Sequence, residues 1–316
     1  MGYFIGFLFS YLIVYAVIPS LQKLSLKIDF VDRPTERKIH KEPVSLLGGV
    51  AMFFGFFCSY IVFLRPLTIK SMAVLIGSFL ILAIGIVDDW YKTHKKEFPI
   101  LPRFVVQIAA AILAYSAGIV FYGFTNPFTN AYILLPTWLQ FVLTITWIFG
   151  VTTVINFSDG MDGLAGGISA ISASTLFVVA LSKGQLDSAM ISILIVGAAL
   201  GFLRYNKYPA QIFMGDSGAN FLGYLLAIIS LDGAFKQATL ISIAIPVLAL
   251  GVPILDNILV VFKRFSEGKP IYKADRSQIH YRLLSAGLNQ KQVVTFLYLI
   301  SVCFSLSSII LLLLNV

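Results

Sequence analysis

Charge is scarce in this chain: of 316 residues only 12% are Asp, Glu, Lys or Arg. A soluble domain carries roughly a quarter, so a globule surrounded by water is excluded. Cysteine is rarer still. Cys58 and Cys303 lie inside apolar runs, without the spacing of a disulfide framework or a metal site, and read as core residues. Long strand alternation with aromatic girdles is missing, which excludes a membrane β-barrel. Residues 1–22 hold no Lys or Arg, so the first apolar run is expected to be a retained span rather than a signal peptide. Low-complexity tracts, soluble appendages and strong internal repeats are lacking too. Residues 1–316 are therefore expected to form one integral domain.

What the chain has in plenty is apolar sequence, with 58% hydrophobic residues and a mean hydropathy of +0.89. Repeated runs of spanning length predict an all-α, polytopic membrane protein of about ten transmembrane helices. The spans fall roughly at 3–19, 48–64, 69–87, 103–122, 133–152, 164–181, 186–203, 217–231, 237–262 and 293–314. With the N-terminus outside, 19 of the 23 basic residues fall in cytoplasmic loops, leaving Arg65, Lys70, Lys183 and Lys236 on the other side. The positive-inside rule sets the orientation from that asymmetry. A net charge of +8 then reflects orientation and contact with anionic membrane lipids, and gives no reason to invoke nucleic acid.

Twelve of the fifteen acids follow the same side, in those loops or at adjoining span ends. Asn156-Phe-Ser-Asp159-Gly-Met-Asp162-Gly163 separates two stretches, 133–151 and 164–181, without a charged residue. An Asp at mid-span costs about 2.5–3.5 kcal/mol, so Asn156–Gly163 is expected to be a turn at the membrane surface. It is either a plain polar turn or a site. Asp88-Asp89-Trp90-Tyr91 closes the third span, where adjacent acids repel and oppose the helix dipole unless a cation relieves them. Phe213-Met-Gly-Asp216-Ser-Gly218 opens the eighth. An N-cap role accounts for Asp216, but not for Gly215 and Gly218, which free the backbone for a close ligand. Asp256 follows Pro246 and Pro253, which can kink a helix, and either pairs with a neighbouring helix or lines a cavity.

The loop at 263–292 is the longest and most basic, with Asp275-Arg276-Ser-Gln278-Ile-His280-Tyr281-Arg282 at its centre. It fits a lipid-surface amphipathic helix or a phosphate-binding arm. Arg37, Lys38 and His40 make a second basic loop able to hold a phosphate, whereas His94 reads as a solvated loop residue. Clustered acids, an Asn and basic loops, without a nucleophilic Ser, Cys or Lys motif, point to magnesium-dependent phosphate chemistry. One substrate would be a soluble nucleotide and the other a lipid.

These motifs together resemble the polyprenyl-phosphate N-acetylhexosamine-1-phosphate transferases. The resemblance covers nearly the whole chain. It runs in order through Asp32-Arg-Pro-x-x-Arg37-Lys38-x-His40 with Pro43-Val-Ser-Leu-Leu-Gly-Gly49, then Asp88-Asp89, Asn156-x-x-Asp159-Gly-x-Asp162-Gly-Leu, Phe213-Met-Gly-Asp216-Ser-Gly and Asp275-Arg276-x-x-x-His280. The Leu-Leu-Gly-Gly loop and the Asp-Arg-x-x-Ile-His segment look like the branch that initiates teichoic acid, O-antigen or common-antigen synthesis. The resemblance implies transfer of N-acetylglucosamine-1-phosphate from a UDP-sugar to undecaprenyl phosphate, releasing UMP, at the cytoplasmic face of a bacterial plasma membrane. It implies Mg2+, with Mn2+ as a substitute, held by Asp216 with Asn156 close to the metal or its phosphates. Asp88 would orient or deprotonate the lipid phosphate, and Asp89 would support it or the metal. Asp159, Asp162 and Phe213 would hold the uridine. Arg276 and His280 would grip the pyrophosphate or sugar; if the loop works by charge, these two carry it, since an ordinary imidazole pKa of about 6.5 lets His280 do so, with neutral hydrogen bonds from Gln278 and Tyr281. A homodimer is compatible with it.

The chain departs from the family pattern at Ser45, Thr153, Ala219, Gln278 and Tyr281, the last two standing where His is usual. Other UDP-sugars, muramoyl-pentapeptide included, and a weakly active paralogue are the alternatives. An ion-coupled transporter is a further one, which would place its acids deep in broken spans and show inverted repeats.

Overall fold

A computed structural model describes residues 1–34, 42–126, 129, 131–234, 243–268 and 277–314. Among them the chain forms α1 (Gly2–Lys27), α2 (Gly48–Phe63), α3 (Ile69–Thr93), α4 (Ile100–Ser116), α5 (Thr137–Ser158), α6 (Leu164–Ser182), α7 (Leu186–Asn206), α8 (Gly215–Ile229), α9 (Ala244–Ala249), α10 (Gly251–Ser266), α11 (Ile279–Ser285) and α12 (Gln290–Leu314). A short π-helical segment, Ser230–Ala234, continues α8. Six of these helices, α1, α3, α5, α6, α7 and α12, are long and apolar enough to cross a membrane. Two antiparallel ribbons join them: β1 (Val31–Asp32) with β2 (Val44–Ser45), and β3 (Gly123–Thr125) with β4 (Tyr132–Leu134).

The outer helices carry their polar residues inward. On α12, Ser301, Ser305 and Ser308 are buried while Leu299, Leu306, Ile310 and Leu313 are exposed. On α1, Gly6 and Ser10 face the bundle and Phe4, Ile5, Leu8 and Leu12 face out. Small and hydroxylic residues let helices approach and bond across the interface in an apolar solvent, which is the membrane-protein pattern. Ser10 donates to the Leu194 carbonyl at 2.8 Å, and Ser308 to that of Ile245 at 2.8 Å.

At the centre stands α8, buried at every position except Asp216. Glycines decide how closely its neighbours lie. A Cβ on Gly85 would collide with the Ser217 backbone, one on Gly77 with the Tyr224 hydroxyl, and one on Gly223 with the Thr152 backbone. Thus α3 and α5 both run antiparallel to α8 at close range. From the Thr152–Gly223 crossing, seven residues lead forward to Asp159 and seven lead back to Asp216. At about 1.5 Å rise per residue, that spacing brings both carboxylates to one level.

Several span limits differ from the hydropathy reading. The fourth run ends at Ser116, and Tyr132–Leu134 is a strand before Pro136, so α5 starts four residues later than the apolar run. Hydropathy cannot separate an exposed apolar ribbon from the helix beside it. At its other end α5 continues through Asn156, and the turn is Asp159–Gly163 rather than Asn156–Gly163. The third helix runs past 87 to Thr93 because its two acids find partners. The ninth run breaks into α9 and α10 near Pro246 and Pro253, and residues 235–242 lie outside the described residues.

Candidate active site

Three chain segments meet where the C-terminal ends of α3 and α5 converge on the N-terminal end of α8. From α3, Asp88 and Asp89 are both 1% exposed. The two make different contacts. Asp89 accepts from the backbone N–H of Asp216 at 2.8 Å and of Ser217 at 3.1 Å. Asp88 faces the other way, accepting from Arg103 on α4 at 2.9 Å, with Lys92 at 3.7 Å. Lys92 also reaches the Asp216 carboxylate at 2.6 Å, and Arg103 stands 3.7 Å from it. Asp216 is therefore not its own helix cap, as the sequence allowed. The cap comes from α3, and the Asp216 side chain is left to the cluster.

Beneath the Asp216 loop lies the Leu46-Leu47-Gly48-Gly49 segment. Phe213 N–H donates to the Ser45 carbonyl at 2.8 Å, while Gly48 and Gly49 N–H donate to the carbonyls of Phe213 and Met214 at 3.0 and 3.1 Å. A Cβ on either glycine would collide with this backbone, so the paired glycines serve close backbone packing. The Phe213 ring packs towards Phe30, Leu46 and Leu47.

The Asp159–Gly163 turn is tied down from α7 and α12. Asn206 accepts from Gly163 N–H at 2.9 Å and donates to the Ile212 carbonyl at 2.8 Å, and Tyr298 donates to the Gly163 carbonyl. One oxygen of Asp162 accepts from Ala210 N–H at 3.0 Å. Burial, with the Asp216 and Asp89 carboxylates nearby, pushes the Asp159 carboxyl up to about 8, so at neutral pH it holds a proton it can donate. Asn156 stands one turn earlier on α5, half-buried.

Over this turn lies His280, 1% exposed on α11, so close that a Cβ on Gly160 would collide with its imidazole. Among the described residues its Nε2 has no partner. Burial pushes the imidazole down to about 4, which favours its neutral form near pH 7 over the charged one. Gln278 Oε1 is likewise buried without a partner. Asp256 pairs with the neighbouring helix: its carboxylate accepts from Ile279 N–H at 2.8 Å and seats α11.

Asp88, Asp89, Asp159 and Asp216 thus come together, and His280 joins them through Gly160. Arg37, Lys38, His40 and Arg276 lie outside the described residues. Lys92 and Arg103 read in the sequence as loop cations; Lys92 could have been found from its i,i+4 spacing to Asp88, whereas nothing local marks Arg103 or Asn206.

Among the described residues no group of three or more His, Cys, Asp and Glu is disposed to hold a metal ion unaided. Magnesium, however, is commonly held by one or two carboxylates together with substrate phosphates and water. The Asp216 carboxylate and the Asn156 carboxamide are oxygen donors of the kind that mode uses. The Lys92 ammonium against the Asp88 and Asp216 carboxylates marks where positive charge is wanted.

Residues 71–234 match the family model described as glycosyl transferase family 4. The chain is 39% identical to a probable undecaprenyl-phosphate N-acetylglucosaminyl 1-phosphate transferase of Bacillus subtilis, over 97% of this chain and 84% of that protein. It is 31% identical to a decaprenyl-phosphate N-acetylglucosaminephosphotransferase of Mycobacterium tuberculosis, over 91% of this chain and 77% of the relative. A phospho-N-acetylmuramoyl-pentapeptide-transferase of Clostridium acetobutylicum is 30% identical over 96% and 95%.

Proposed function

The chain belongs to glycosyl transferase family 4, and from that premise we propose that it transfers N-acetylglucosamine-1-phosphate from UDP-N-acetylglucosamine to undecaprenyl phosphate. The observation that carries this reading is the meeting of the buried Asp88 and the half-buried Asp216 with Lys92 and Arg103 at one end of an apolar bundle. Neutralised acids at such a point suit a pair of anionic substrates, one from water and one from lipid.

An oxygen of the lipid phosphate attacks the β-phosphorus of the UDP-sugar. A new P–O–P bond forms as the bond from that phosphorus to the bridging oxygen of UMP breaks, and UMP leaves. Asp88 takes the proton of a singly ionised lipid phosphate or orients its dianion. Arg103 and Lys92 draw both phosphates in. Asp216 and Asn156 would hold magnesium, which when bound supplies charge neutralisation on the pyrophosphate. Asp159, Asp162 and Phe213 are assigned to the uridine, with the Asp159 proton as one donor to it. His280 and Arg276 are assigned to the pyrophosphate or sugar, and Arg37, Lys38 and His40 to a second phosphate contact. Release of UMP by the purified protein, measured over a panel of UDP-sugars with undecaprenyl phosphate, tests the donor. UDP-N-acetylglucosamine is expected to lead, and preference for the muramoyl-pentapeptide donor would overturn that choice.

The same reading crosses the plasma membrane ten times with the acids in the cytoplasm. Single cysteines placed at 265 and 288, in a chain lacking Cys58 and Cys303, are expected to resist an impermeant reagent added outside intact cells. Labelling from outside would invert the topology and remove the site from its nucleotide.

A further inference from the structure

Asp89 sits beside the proposed chemistry, and yet both its oxygens are engaged by the backbone of α8. Each carboxylate oxygen takes one N–H, from Asp216 at 2.8 Å and Ser217 at 3.1 Å, and the side chain is 1% exposed. Those two amides are among the first of α8, which has no intrahelical acceptor for them. Its own preceding residue, Met214, supplies no side-chain cap.

The surroundings are shaped for this bond. Gly85 lies one turn before Asp89, and any Cβ there would collide with the Ser217 backbone. Removing that Cβ brings α3 close enough for the next turn to reach the α8 amides. Opposite, Gly215 has φ +68°, in the left-handed region that favours glycine, and a Cβ on it would collide with the Asp89 carboxylate. Gly85, Asp89 and Gly215 form one joint between two helices.

We infer that Asp89 is a positioning residue: it caps α8 from α3 and so aims the Asp216 carboxylate at Asp88, Lys92 and the substrates. This rests on the proposed transfer for its activity readout alone. The adjacent acids divide the work, with Asp88 facing the phosphates and Asp89 facing the helix. Asn is a good helix cap and offers one acceptor, whereas Ala offers none.

The test compares Asp89→Asn, Asp89→Ala and Asp88→Asn in the full-length protein, by UMP release and by hydrogen exchange of the peptide spanning 213–221. Asp89→Asn is expected to keep activity within about tenfold of the parent and Asp89→Ala to lose about a hundredfold or more, in line with one cap acceptor kept or both lost. Exchange over 213–221 should rise in Asp89→Ala and stay at the parent's level in Asp88→Asn. Should Asp89→Asn be as inactive as Asp88→Asn while exchange over 213–221 is unchanged in every variant, Asp89 acts on substrate or metal directly and the inference is overturned. If the parent releases no UMP, the transfer reading fails by itself. The exchange arm still decides the joint: a rise in Asp89→Ala upholds it, and no rise refutes it.

Discussion

Asp216→Asn is expected to lower UMP release by at least about a hundredfold, about 2.7 kcal/mol of transition-state stabilisation, in a protein that remains folded. The substitution keeps the side-chain volume. The α8 cap is untouched, because Asp89 binds the backbone of residue 216 and not its carboxylate. What disappears is the negative charge that meets Lys92 at 2.6 Å and, in the proposed mechanism, magnesium. A second readout separates this from misfolding. Magnesium should raise the melting temperature of the parent, since a ligand that binds only the folded state stabilises it, and should do much less for Asp216→Asn. Near-normal turnover by this variant would make Asp216 a bystander.

His280→Ala is expected to lose at least about tenfold in turnover, about 1.4 kcal/mol, through lost hydrogen bonding and not lost charge. The imidazole is buried against Gly160 with Nε2 unpartnered among the described residues, so a ligand phosphate or sugar hydroxyl would complete it. Because burial holds its pKa near 4, below the ordinary 6.5, no change of His280 charge belongs between pH 6 and 8. The parent and His280→Gln should share the shape of their activity profiles there. Stability behaves differently. Protonation favours the unfolded chain, so the parent should lose stability as pH falls from about 6.5 towards 4, and His280→Gln should flatten that loss. A profile whose limb near neutrality vanishes in His280→Gln would restore the charged role.

The bundle was legible in the sequence because apolar runs of spanning length have few other folds. Their ends were not. Polar residues such as Asp88, Asp89 and Lys92 continue α3 only because α8 and α4 supply partners, and that pairing is invisible along a single helix. The ribbon at Tyr132–Leu134 escaped because its residues are as apolar as the helix they precede. Of the site, the clustered acids stand out in the sequence. Gly215 and Gly218 read as room for a ligand, whereas a Cβ on Gly215 would meet the Asp89 carboxylate and one on Gly218 the Met214 side chain and the Gly49 backbone. The division of labour between Asp88 and Asp89 follows from a rotation of about 100° per residue, which turns one acid to α4 and the other to α8; only the helix positions reveal which.

Transfer of the sugar with its phosphate, rather than of the sugar alone, is the central claim. It is tested most directly with UDP-N-acetylglucosamine radiolabelled at the β-phosphorus, incubated with purified protein, magnesium and undecaprenyl phosphate and then extracted into organic solvent. The label is expected to enter the lipid phase in step with UMP release, and to remain in water with Asp216→Asn. Lipid that gains the sugar while the label stays in water as UDP would contradict it.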